Sequence, residues 1–137
     1  MDMLINIDVP NLEQAVSFYG RAFGLVVTRR LGAEVVELGG LPAPLYLLQK
    51  PDGSVGAADD LRRYGRHWTP VHIDLVVHDI EAALARALAA GARAETEIRI
   101  EAWGKIAVLS DPFGHGFCLV QFLGRGYDEI ADPNART

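Results

Sequence analysis

The chain is poor in the residues that would announce a common chemistry. It has a single cysteine, Cys118, which excludes an internal disulfide and any all-thiolate zinc site. Its longest apolar stretches, VHIDLVVHDI and AVLSDPFGHGFCLVQF, are broken by Asp and His. Neither offers the ~20 apolar residues a bilayer span needs. The opening MDMLINIDVP carries an acid and no basic run, so it does not read as a signal peptide, and a cytoplasmic location is expected. Thirteen Lys and Arg stand against 18 Asp and Glu, a net charge of −5, without a basic stripe. That balance argues against nucleic acid as a partner. There is no phosphate loop, no Rossmann glycine pattern, no Ser-His-Asp order and no HExxH, so the common cofactor readings fall away.

What remains is a chain of 137 residues, 50% hydrophobic and 23% charged, the composition of one globular domain with a real core. Within it lies a weak internal repeat. LINIDVPNLEQAVSFYGRAFG aligns with HIDLVVHDIEAALARALAAGA, placing Leu4 opposite His72, Asn6 opposite Asp74 and Asp8 opposite Val76. PLYLLQ (44–49) likewise matches GFCLVQ (116–121).

Each copy opens with a strand-like alternation. Ile5, Ile7 and Val9 share one face, as do Ile73, Leu75 and Val77. A helix follows in both, with Asn11 and Asp79 as N-caps and Gly24 and Gly91 as stops. Gln14 completes a capping box, and Ala15, Phe18, Tyr19 and Ala22 give the first helix its apolar stripe. Strand-like runs come next: LVVTRRL, AEVVELGG and PLYLLQK, then ETEIRIEA, KIAVLSD and GFCLVQFL.

The fold expected is α+β, a single domain of two βαβββ modules. Residues 3–50 form the first, 51–67 a polar connection, 68–123 the second, and 124–137 a tail with Tyr127 and Ile130 as anchors. A helix covers one face of each sheet. The other faces form a half-barrel cleft into which Leu4, Asn6, Asp8, Tyr46, His72, Asp74 and Cys118 should point.

The segments VPNLEQAVSFYGRAFGL, VVHDIEAALARALAAGA and DPFGHGFCLVQF resemble the vicinal oxygen chelate superfamily over residues 3–123. That group holds glyoxalases, bleomycin-resistance proteins and extradiol dioxygenases. The resemblance implies the paired-module fold and a homodimer. In metal-using members, ligands come from the first and last strand of each module, which here means Leu4, Tyr46, His72 and Cys118. Only His72 is of a usual ligand type. Leu4 has no donor atom, and a phenol with an ordinary pKa near ~10 is a poor ligand. A cysteine thiolate suits Zn²⁺ or Cu(I) better than a hard octahedral ion.

Each candidate has a functional and an ordinary reading. His72 and Asp74, two residues apart on one strand face, suit an acid/base pair or a ligand-contacting pair. Equally, His72 is a cleft histidine satisfied by its neighbour. Asn6, Tyr46, Trp68, Trp103 and Cys118 are ligand contacts if the cleft is used, the aromatics by stacking. Otherwise they are packing residues, with Cys118 an inert buried thiol. Asp8 reads as a wet rim carboxylate or a partner for His72, Glu37 as a strand-edge charge or a cleft-facing acid/base, Phe117 as core or a stacking ring, Asp111 as a turn residue and His115 as an exposed ring beside it. Arg62, Arg63, Tyr64, Arg66 and His67 form either a flap for an anion or, more simply, a solvated loop.

The function expected is metal-free binding of a planar or apolar small molecule, without a cofactor. Two alternatives stand. One is a metal-dependent lyase, isomerase or dioxygenase using His72 and a divalent ion. The other is an interaction module with its cleft packed shut.

Overall fold

In the computed structural model, residues 1–135 are described. The first module runs β1 (Ile5–Val9), α1 (Leu12–Phe23), β2 (Val26–Leu31), β3 (Val35–Gly39) and β4 (Leu45–Gln49). The connection folds as a small hairpin, β5 (Val55–Ala57) and β6 (Asp60–Leu61). The second module runs β7 (Ile73–Val76), α2 (Ile80–Ala90), β8 (Arg93–Ala94), β9 (Arg99–Glu101), β10 (Gly104–Ser110) and β11 (Gly116–Phe122). The tail opens with a 3₁₀ turn, Gly126–Glu129.

The repeat read from the sequence is a repeat in space. The first sheet has the order β1-β4-β3-β2 and the second β7-β11-β10-β8, with β9 on β10. In both, the first strand lies parallel to the last, Ile5 opposite Leu45 and Ile73 opposite Phe117. A parallel neighbour requires a crossover, and each helix belongs to that crossover.

The helices form where local chemistry dictates. Asn11 accepts the Gln14 amide at 3.0 Å and Asp79 the Ala82 amide at 3.0 Å. Gly24 and Gly91 end them at φ +69° and +117°, a left-handed state that glycine adopts freely. Ala15, Phe18, Tyr19 and Ala22 are all buried, so the stripe on α1 faces the core.

The two modules join on their helix side. Arg21 Nη2 donates to the Ala89 carbonyl at 3.0 Å and Arg86 Nε to the Ala22 carbonyl at 3.2 Å. Phe23 meets Phe117 edge to face at 5.2 Å, which makes Phe117 a core residue. Strands pair only within a module or within the hairpin among the described residues. The opposite sheet faces are therefore left accessible, and Leu4 and Val76 are 57% and 62% exposed. No helix among these residues is long and apolar enough to cross a membrane.

Candidate functional site

The accessible face of each sheet carries a row of polar side chains, set by strand alternation. In the second module β7 and β11 place Asp74 beside Cys118. His72 lies just before β7 on the same face. Its Nδ1 sits 2.9 Å from Asp74 Oδ1, with both side chains roughly 40% exposed. This is the pairing that the i, i+2 spacing implies. If Nδ1 carries the proton for Asp74, Nε2 is free as an acceptor or base. The Trp68 ring stands 6.3 Å from the His72 ring and is itself 74% exposed.

One donor atom each from His72, Asp74 and Cys118 lies within 4.8 Å of the others. Cys118 is buried, and desolvation, followed by the Asp74 charge and hydrogen bond, pushes its thiol up to about 11. At neutral pH it is a thiol. A cation would have to displace that proton before gaining a third ligand.

The first module has a different row. Asn6 on β1, Tyr46 on β4, Glu37 on β3 and Arg29 on β2 are consecutive cross-strand partners. Glu37 Oε1 accepts from Thr28 Oγ1 at 2.7 Å and from Arg29 Nε at 2.9 Å. Tyr46 Oη donates to Glu37 Oε2. Hydrogen bonds from Arg29, then Tyr46 and Thr28, hold the Glu37 carboxyl at about 2. Glu37 is 8% exposed, so it is a buried, fully partnered carboxylate and not the ordinary strand-edge charge its sequence position suggests. The sequence alone left its register uncertain by one residue, and that one residue decides the face.

These rows do not fit a four-point metal site. The Leu4 position offers no donor, the Tyr46 hydroxyl is committed to Glu37, and the Cys118 thiol is held protonated. Among the described residues, donors converge only on the second module, at His72, Asp74 and Cys118.

Several residues read one way in the sequence are placed another way. Asp8 is not merely a wet rim group, because Arg62 Nε pairs with its Oδ2 at 2.7 Å. Nor is the arginine segment simply solvated. Arg62 pairs with Asp8, and Arg66 with Glu95. A hollow of about 440 Å³ lies between this segment and the 113–115 turn, with Arg62, Tyr64, His67 and Trp68 on its walls. His115 is less free than a turn residue with an exposed ring. Its Nδ1 is 2.8 Å from Asp111 Oδ2, and Asp111 is 1% exposed. Asp111 also accepts the Phe113 and His115 amides and the Tyr19 hydroxyl, which supports its reading as a structural turn residue.

Trp103 lies beyond the far end of β11 from His72. There it packs 6.1 Å from Phe122 and 5.1 Å from Tyr127. This group anchors the tail through Tyr127, as the sequence suggested, and gives Trp103 a packing role. Trp68, by contrast, is beside His72.

Comparison with known proteins agrees with this architecture. The chain is similar to an uncharacterized protein of Mycobacterium bovis, 33% identical over 128 residues, covering 82% of this chain and 78% of that one. Among solved structures it is similar to the fosfomycin resistance protein FosX from Listeria monocytogenes, with a TM-score of 0.70 at 16% identity. That match covers 94% of this chain and 96% of the other. It is also similar to a lactoylglutathione lyase from Agrobacterium tumefaciens, with a TM-score of 0.62 at 18% identity, covering 88% and 92%. At such identities the likeness is one of fold. Residues 4–120 match the profile of the glyoxalase-like domain. With the duplicated βαβββ sheets already in place, the chain belongs to that glyoxalase-like family, and through it to the vicinal oxygen chelate superfamily.

Proposed function

We propose that this chain binds a small planar or apolar molecule against the His72 face, using hydrogen bonds and stacking and no metal ion. The observation that carries this reading is the exposed His72–Asp74 pair with the Trp68 ring 6.3 Å from the imidazole. A carboxylate-oriented imidazole beside an exposed indole offers one directional polar contact and one flat apolar wall, the usual elements of a small-molecule site. The pair also suits acid/base chemistry, which needs a positioned base and no metal. Asn6 and Tyr46 are the corresponding candidate contacts on the first module's own sheet face. The FosX neighbour, a fosfomycin resistance protein, is consistent with a fold used for small molecules.

A second copy of the chain is the expected partner. The accessible sheet faces and the edge strands β1 and β7 are the surfaces it would cover, giving a homodimer in the cytoplasm.

A second reading has its own support. The three donors of His72, Asp74 and Cys118 could gather a soft divalent ion such as Zn²⁺, leaving an open position for lyase, isomerase or dioxygenase chemistry.

Ligand-observed NMR with a fragment set tests the first reading. Planar fragments should saturate and be displaced from the wild-type chain, and H72A should weaken them. Fragments that bind equally well to H72A and to W68A would overturn it.

A further inference from the structure

Arg66, near the end of the connecting segment, lays its side chain over the second sheet at Gly116. A Cβ built on Gly116 would sit 2.5 Å from Arg66 Nη2, 2.8 Å from Cζ and 2.9 Å from Nη1. Three near-equal distances mean that the guanidinium lies face-on over Gly116. What glycine supplies at this position is room for that plane.

The group is clamped where it lies. Arg66 Nε donates to Glu95 Oε1, Nη2 to Oε2 at 3.1 Å, and Nη1 to the His67 carbonyl. These contacts use three of the five N–H groups, so two are left for something else. Arg66 also draws the Glu95 carboxyl below its ordinary range, and both side chains remain about 30% exposed.

Strand alternation puts Gly116 on the same face as Cys118. The β7–β11 register pairs Ile73 with Phe117 and Asp74 with Cys118. Extending that register by one residue, just before β7, sets Gly116 beside His72, a strand spacing of ~4.8 Å away. A fixed guanidinium, an oriented imidazole and an exposed indole therefore share one patch.

We propose that Arg66 is the anion anchor of the His72 face, and that the ligand is a small planar carboxylate. Its carboxyl group meets the two free N–H groups of Arg66, its ring lies along Trp68, and its polar edge meets His72. This inference rests on the reading of the His72 face as a small-molecule site and names the ligand's chemical class. Guanidinium suits the task because it stays charged and presents paired donors in a plane.

Titrating the full chain with benzoate and with benzamide, followed by the Arg66 Nε–H and His72 ring NMR signals, tests the proposal. Benzoate should move both signals and bind at least about tenfold tighter than benzamide. R66Q should bring benzoate down to the level of benzamide. G116A provides a second variant, since the three atoms nearest its new methyl group all belong to the Arg66 guanidinium, which it would push out of place. It should weaken benzoate and leave benzamide unchanged. Equal affinity for the two probes, unaffected by R66Q or G116A, would overturn the proposal while leaving the small-molecule reading standing. Failure of both probes to move the His72 signals would overturn both.

Discussion

Gln49 and Gln121 perform the same act in the two modules. Gln49 Oε1 accepts the Leu12 amide at 2.9 Å, and Gln121 Oε1 accepts the Ile80 amide at 2.9 Å. Each glutamine sits late in the last strand of its module and satisfies the first free amide of the helix that follows the first strand. The duplication thus extends to single hydrogen bonds tying sheet to helix. Replacing either with alanine should cost about 1–2 kcal/mol, because it leaves a partly buried amide unpaired. Urea unfolding of Q49A and Q121A should show lower midpoints with unchanged slopes.

Glu37 predicts a pH dependence of stability. Its carboxyl is lowered from 4.5 to about 2, first by Arg29 and then by Tyr46 and Thr28. A depressed folded value favours the ionised native state. The contribution is therefore whole above pH 4.5 and is lost as the pH falls toward 2. Melting curves between pH 6 and about 2 should show this loss, and E37Q should flatten that part of the profile.

Tyr19 predicts the opposite flank. Burial, then the Asp111 charge and hydrogen bond, raise its phenol well above 10.0. A raised value means that the folded state keeps a proton which the unfolded chain gives up. This stability is whole below pH 10.0 and declines as the pH climbs beyond it. Tyr19 Oη donates to Asp111 Oδ2 at 2.6 Å, linking α1 of one module to the turn before β11 of the other. Y19F should lose about 1.5–3 kcal/mol by urea unfolding and weaken the alkaline decline.

Cys118 should be slow toward thiol reagents. A thiol raised from 9.0 to about 11 holds about a hundredfold less thiolate at neutral pH. Greater intrinsic nucleophilicity offsets part of that, leaving about a tenfold deficit before any effect of burial. Alkylation rates measured against pH should climb toward pH 11, and D74N, which removes a raising influence, should shift the rise downward.

Much of this was legible in the sequence, because it is local or periodic. Asn11, Asp79, Gly24 and Gly91 mark the helix ends through backbone chemistry within a few residues. The alternation at Ile5, Ile7 and Val9 and at Ile73, Leu75 and Val77 fixed both opening strands, and the i, i+2 spacing foretold the His72–Asp74 pair. Contacts that depend on how separate segments meet were not legible. The burial of Glu37 needed the exact register of β2, β3 and β4. The Gln49 and Gln121 bonds span 37 and 41 residues. Arg66 reaches Glu95, 29 residues away, from a segment whose composition reads as solvated loop. The only trace it left in the sequence was Gly116, a glycine in a strand, where close approach of another group is the usual reason.

The account turns on whether the accessible sheet faces recognise a small molecule without a metal ion or hold a cation. Elemental analysis of the purified full chain, before and after incubation with Zn²⁺ and desalting, answers this most directly. Less than about a tenth of an equivalent of Zn, Ni, Fe or Mn should remain, with no difference between wild type and H72A. Retention of more than about half an equivalent, lost in H72A and C118S, would contradict it.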